Sequence, residues 1–283
     1  MIDVQALTFS YQKTPVLKGL TFHVNSGEIF GFLGPSGAGK STLQKLLIGL
    51  LPNYSGTATV MGQQCDRLKR SFFSRVGVDF EVPTLYEKLT ARENLRFFSS
   101  LYACPCFEID TLLGRLGLEQ AANMRVGAFS KGMKSRLNFA RAILHNPDLL
   151  FLDEPTSGLD PTNAAAMKEL IRGLRGQGKT IVLTTHNMQD ATELCDRVAF
   201  LSGGEIRALD SPHRLIMARG ARTLTYTYAE GGRERRHTVE LDKTALDGKL
   251  LFLLQNNLLT SLHTNEPTLA DVFTELTGGR LEP

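Results

Sequence analysis

Nine consecutive residues, Gly34-Pro35-Ser36-Gly37-Ala38-Gly39-Lys40-Ser41-Thr42, set glycines, a lysine and hydroxyls in the order G-x-x-x-x-G-K-[ST]. Glycines let a backbone wrap closely enough for several N–H groups to point at one phosphate chain. Lys40 adds a mobile positive charge for the outer phosphates, and the Ser41 hydroxyl is a suitable Mg²⁺ ligand. Two further places carry chemistry. The apolar run 149–152 ends in Asp153-Glu154. One acid there can hold Mg²⁺ and its neighbour can polarise an attacking water. An acidic pair at a strand end can equally be a plain helix cap, and the phosphate loop is what favours the chemical reading. A β-branched run over 181–185 ends at His186.

Those residues need elements to hold them. Residues 29–33 read as a short buried strand, and Leu43, Leu46, Leu47 and Leu50 recur at helical spacing after the loop. The positive end of that helix would face the phosphates. Upstream, 2–9 and 19–24 alternate as half-buried antiparallel strands, with Tyr11 in the loop between them. Further strands are expected at 57–61 and 76–80. From about 83 to 146 the pattern turns helical. Thr90-x-x-Glu93 is a capping box for a helix through Phe98 and Tyr102, and Ile109, Leu112, Leu113 and Leu116 mark a second. A third starts at Ser130 with Met133, Leu137, Ala140 and Leu144 on one face. Strands at 149–152 and 181–185 flank a helix carrying Met167, Leu170, Ile171 and Leu174, and 197–209 reads as a hairpin around Gly203-Gly204.

This alternation predicts an α/β fold: a mostly parallel sheet with an antiparallel β subdomain, an inserted helical subdomain at about 83–146, and a small C-terminal α+β appendage. In such sheets ligands sit outside the carboxyl ends of the strands, where Gly34, Asp153 and His186 fall. The main domain is expected over 1–218 and the appendage over 219–283, with strands at 224–228 and 238–241 and helices at 246–254 and 268–276. Arg233, Arg235, Arg236 and His237 are expected at a solvated hairpin tip beside Gly231-Gly232.

The chain has 283 residues with 32 Lys and Arg against 29 Asp and Glu, a formal charge of +3. That balance is too mild for a nucleic-acid stripe, so no nucleic-acid partner is expected. No apolar run approaches a membrane span, and Met1-Ile2-Asp3-Val4-Gln5 lacks a signal-peptide layout. A cytoplasmic location is expected. Cys65, Cys104, Cys106 and Cys195 show neither a C-x-x-C pair nor zinc spacing, so reduced thiols are expected.

Five stretches together resemble the ATP-binding cassette (ABC) ATPases: the phosphate loop, Phe129-Ser130-Lys131-Gly132-Met133 as the signature, Asp153-Glu154-Pro155, Ser157-Gly158-Leu159-Asp160 as the D-loop, and His186 as the switch histidine. Tyr11 matches the residue that stacks on adenine, with Val16 as a second apolar contact. The resemblance implies a P-loop NTPase-type fold, ATP and Mg²⁺ as cofactors, and phosphate contacts from Gly34 to Thr42. It also implies Mg²⁺ on Ser41 and Asp153, with Glu154, His186 and Lys40 as catalytic residues. Ser130 and Gly132 would act on the γ-phosphate held by a second cassette, homo- or heterodimeric, with Asp160 at the same interface.

Two departures stand out. Met133 replaces the signature's final glutamine, in a Ser-Lys-Gly-Met version similar to that of ABC-2-type exporters, which 266–278 also resembles. Glu81 stands in the Q-loop place of glutamine, where it keeps an oxygen for Mg²⁺ but adds charge, so somewhat pH-sensitive hydrolysis is expected. The resemblance implies the ATPase subunit of an exporter, held peripherally on the inner face of the membrane by a separate transmembrane permease. Family precedent places that contact on the helical insertion and around 81–86. A soluble non-transport ABC ATPase, or a cassette that binds ATP with little turnover beside an active partner, stays open as an alternative.

Overall fold

The computed structural model describes residues 1–220 and 223–278, without the side chains of Ala245 and Leu246. Contacts divide the chain into two units, the first covering Met1–Asp210 and the second beginning at Ser211.

In the first unit, β1 (Ile2–Tyr11) and β2 (Thr14–Val24) pair antiparallel through a two-residue turn at Gln12 and Lys13, with Gln12 at φ 53°. Tyr11 therefore ends a strand opposite Thr14 and does not lie in a loop, and β2 starts five residues before the expected Gly19. The register shifts around Ala6 and Gly19, both at positive φ, interrupt the polar–apolar alternation that sequence reading depends on. β3 (Ile29–Leu33) is wholly buried and leads into the phosphate loop. α1 (Lys40–Leu47) follows and stops before Gly49, so Leu50 lies beyond the helix and is exposed instead of packing on its face. β4 (Ser55–Val60) and β5 (Gln63–Gln64) complete an antiparallel sheet in the order β2-β1-β4-β5.

After α2 (Arg70–Phe73) and β6 (Val76–Asp79) come three helices, α3 (Ala91–Ser99), α4 (Ile109–Arg115) and α5 (Lys131–Ile143). The capping box of Thr90 and Glu93 opens α3 as expected. The helix ends short of Tyr102, whose ring stacks 4.0 Å from that of His145. The chain then resumes with β7 (Leu149–Asp153), α6 (Pro161–Gly176), β8 (Thr180–Thr185), α7 (Met188–Leu194), β9 (Arg197–Ser202) and β10 (Glu205–Asp210). Six strands form one sheet in the order β10-β9-β3-β8-β7-β6, parallel except for the edge strand β10. β6 and β7 are neighbours although three helices intervene, so the helical insertion hangs from the end of the sheet. Every residue of β3, β7 and β8 is buried, which is why these strands read as continuous apolar or β-branched runs. Their register, Leu33 opposite Thr185 and Asp153 opposite Thr184, brings three strand ends to one edge.

The second unit contains α8 (Pro212–Met217), β11 (Thr223–Glu230), β12 (Arg233–Glu240), α9 (Gly248–Gln255), β13 (Leu259–Asn265) and α10 (Leu269–Thr277). Its sheet runs β12-β11-β13, with Leu224, Tyr226 and Tyr228 packed against Leu250 and Leu253 of α9. Two expectations need correction, and one strand was not expected. Gly231-Gly232 is the whole turn, so Arg233, Arg235, Arg236 and His237 lie along β12 and not at a tip. β12 ends at Glu240, and a 3₁₀ turn over Leu241–Leu246 precedes α9. β13 has no apolar alternation to announce it, Leu262 being exposed, and pairing with β11 is what makes it a strand. Residues 279–283, the end of the expected appendage, lie outside the described residues.

Candidate active site

The phosphate loop joins the end of β3 to α1, and its geometry follows from its residue types. Gly39 caps α1 at φ 105°, a left-handed conformation, and a Cβ there would meet the Leu17 side chain at 2.8 Å. No side chain caps α1, so its first amides are not taken up by a hydroxyl or carboxylate. That is the arrangement of an anion-binding helix end. Lys40 Nζ donates to the carbonyls of Gly34 (2.6 Å) and Pro35 (3.1 Å), curling the loop around the ammonium, while Ala38 is buried behind it. Burial lowers the Lys40 pKa, opposed by the carboxylates of Glu154, Asp153 and Glu81.

β7 and β8 deliver the acids. Ser41 Oγ donates to Asp153 Oδ2 at 3.1 Å, and Thr184 Oγ1 donates to the other carboxylate oxygen. Glu154 stands at φ 51°, a conformation that costs a non-glycine residue about 1–3 kcal/mol unless its surroundings hold it. Here they do. Its N–H donates to Thr184 O (2.9 Å), and Thr185 Oγ1 and His186 N each donate to its carboxylate at 2.9 Å. His186 Nδ1 lies 2.7 Å from Glu154 Oε1, with the imidazole half-exposed.

One cleft of about 390 Å³ gathers these groups. Ser36, Gly37, Gly39, Lys40, Ser41 and Thr42 line it together with Asp153, Glu154, His186 and Glu81. Tyr11 and Val16 also line it. Tyr11 is exposed, with its ring edge-to-face against Phe9 at 4.9 Å. Ser130, Gly132 and Asp160 do not line this cleft. Ser130 caps α5 and accepts from Met133 N (3.2 Å), Gly132 lies in the first turn of that helix, and Asp160 caps α6 by accepting from Asn163 N (3.1 Å). The residues missed from sequence are Thr184 and Thr185, whose hydroxyls hold both acids. Two threonines immediately before His186 are the sequence signal, and it becomes informative only once their strand is seen to pair with the Asp153 strand.

A glycine-rich loop opening a helix, an Asp-Glu pair ending the next-but-one strand and a histidine ending the strand between them define a P-loop nucleoside triphosphatase on a mostly parallel sheet. A sequence profile described as ABC transporter matches residues 17–157. The fluoroquinolones export ATP-binding protein of Mycobacterium tuberculosis, strain H37Rv, is 49% identical over 284 residues, covering 99% of this chain and 94% of that protein. The chain belongs to the ABC transporter family and is an ATP-binding, ATP-hydrolysing subunit. Two solved structures agree. The cbiO1 protein of Clostridium perfringens, part of an ABC transporter complex, is 27% identical with a TM-score of 0.68, covering 77% of this chain and 91% of that one. A dimeric ATP-binding cassette in a post-hydrolysis state with ADP and Pi is 26% identical with a TM-score of 0.66, covering 75% of this chain and 98% of that one. Among the described residues no helix is long and apolar enough to cross a membrane.

Proposed function

We propose that this subunit energises export through a separate membrane-spanning permease, working as one of two cassettes that close around ATP. The observation that carries the reading is a division within the first unit. Lys40, Ser41, Asp153, Glu154 and His186 meet in one cleft, whereas Ser130 sits on another helix end outside it. A second cassette would bring its own Ser130 and Gly132 to the γ-phosphate, with Asp160 near the same interface. The dimeric relative with ADP and Pi supports this arrangement, and the export protein of M. tuberculosis supports the direction of transport.

Tyr11 stacks on adenine with Val16 beside it, and residues 34–42 wrap the phosphates with Lys40 on the outer two. The oxygens of Ser41, Asp153 and Glu81 suit Mg²⁺, a hard cation that takes one or two carboxylates together with substrate phosphates. Bound there, Mg²⁺ would neutralise charge on the phosphates. Glu154 accepts the proton of the attacking water, and His186 holds that water and the γ-phosphate in line. Residues 81–86 and the helical insertion face the permease. Glu154→Gln is expected to bind ATP yet hydrolyse it at least about 100-fold more slowly, and to elute as a dimer on gel filtration with ATP and Mg²⁺. A variant that stays monomeric and releases phosphate at the parental rate would refute the mechanism.

A further inference from the structure

The segment that carries Glu81 is gripped from one side by a single helix. Asn138, in the middle of α5 and almost wholly buried, donates from Nδ2 to Asp79 Oδ1 and to the Phe80 carbonyl (3.0 Å). Nearly one turn later Arg141 donates to the Thr84 carbonyl (2.9 Å) and to its hydroxyl. The chain is thus tied to α5 immediately before Glu81 and again three residues after it. Gly77 permits the close approach: a Cβ there would lie 2.1 Å from the Ala142 carbonyl of α5. Asp79, Glu81 and Asn138 line a cavity of about 250 Å³ together with Asp153 and Glu154.

Asp79 is 4% exposed and Asn138 1%, so a carboxyl group and an amide face each other in the interior. For stability alone an apolar pair of similar volume would serve as well or better. A hydrogen bond supplies direction, which an apolar contact does not. We propose that Asp79 and Asn138 are a positioning pair: through them α5, the helix that begins at Ser130, fixes where Glu81 stands against Asp153 and Glu154. The inference rests on the reading of that cleft as the hydrolytic site. Glu81 itself is exposed, so its place is set by the backbone on either side of it. Any displacement of α5 at its Ser130 end is delivered to Glu81 through Asp79 and Phe80.

The test is ATP turnover by the full chain, with kcat and KM separated, alongside thermal unfolding. Asn138→Ala is expected to lower kcat about tenfold, a misplacement effect, and to leave KM for ATP within about twofold. Asp79→Asn, which keeps an acceptor for Asn138, should retain most of the parental kcat. The double variant Asp79→Val, Asn138→Ala restores an apolar interior; it should regain thermal stability but keep the lowered kcat. In a Glu81→Ala background, followed by single-turnover phosphate release, Asn138→Ala should change the rate less than about twofold, because nothing remains to be positioned. A double variant that regains parental turnover with its stability would overturn the proposal, as would an equal loss from Asn138→Ala with and without Glu81. If Glu154→Gln leaves hydrolysis intact, the reading of the cleft fails first and takes the pair with it.

Discussion

The first unit contains two helix ends suited to anions, at α1 and α5, and they are built differently. α1 opens at Gly39 without a side-chain cap, and its first residue, Lys40, stands in the field of three carboxylates. α5 opens at Ser130, whose hydroxyl satisfies the Met133 amide, and its start does not line the nucleotide cleft. On the function proposed above, the first end holds phosphates and a metal by itself. The second satisfies one of its amides, that of Met133, with an ordinary cap, and what it offers an incoming group is the residual charge of the helix end and one hydroxyl. On that proposed function, the same element serves as a whole site at α1 and a half site at α5, and the two ends differ in which residue occupies the N-cap.

The largest effects should separate the two ends by binding, not by rate. Lys40→Ala is expected to lower turnover about 10²–10³-fold, the loss typical of a charge aimed at a developing anion, and to weaken ATP binding to the isolated monomer. Ser130→Ala is expected to lower turnover about tenfold or more while monomer affinity stays put. Titration of a fluorescent ATP analogue at dilute protein, beside a phosphate-release assay, reads both. Equal losses of monomer affinity in the two variants would erase the distinction between a whole site and a half site.

The two ends were not equally legible in the sequence. The α1 end is local: nine adjacent residues state the loop, and the apolar runs on either side state the strand and helix that carry it. Asp153 and His186 were visible because each follows a buried strand, a pattern that survives without knowing the sheet order. Thr184 and Thr185 were not, since their role depends on β7 and β8 being neighbours in a specific register. Asp79 and Asn138 were hidden for the same reason: the bond spans 59 positions and joins a strand end to the middle of a helix. Positive φ at Gln12 and the bulges of β1 misplaced Tyr11, because a Gln-Lys turn carries none of the glycine or asparagine signals of a tight hairpin. In the second unit β13 is polar along most of its length, and only its partner β11 identifies it.

The buried charges beside the two helices differ as well, and pH should expose this. Lys40 has carboxylates around it, whereas Asp79, fully buried against α5, is pushed by desolvation from an ordinary 3.8 up to about 7, with Arg141 and the Asn138 amide opposing the shift. The folded protein holds this proton more tightly than the unfolded chain does. The contribution of Asp79 to stability is therefore complete below about pH 4, declines as pH rises, and is lost above about pH 7. A difference of that size corresponds to at most about 4 kcal/mol. Denaturant unfolding of the parent and of Asp79→Asn from pH 5 to 8 isolates the group: the parent should lose stability relative to the variant as pH rises. Parallel curves, or a parent that gains on the variant at high pH, would show that Asp79 is ionised throughout and that α5 carries a paired charge much as α1 does.

The smallest effect comes from a third helix end, which serves as the control for the other two. α3 opens with a complete capping box: Thr90 Oγ1 accepts from Glu93 N, and the Glu93 carboxylate accepts from Thr90 N. The Thr90 amide, and after it the Thr90 hydroxyl, hold the Glu93 carboxyl below the usual carboxylate range. Such an end has its own acid where an incoming anion would have to sit, so like charge repels any phosphate and the box can only stabilise the helix. Thr90→Ala should cost about 1 kcal/mol in unfolding free energy and leave ATP turnover and ATP-dependent dimerisation unchanged. Ser130→Ala removes a side-chain cap as well, with a similar structural cost, yet should also lower turnover about tenfold or more. If the two threonine and serine variants, matched in stability, hydrolyse ATP equally well, then Ser130 is a cap and nothing more, and α5 belongs with α3. If only the Ser130 variant fails, the loss is not one of helix stability, and the start of α5 is doing chemistry on a phosphate that its own chain does not hold.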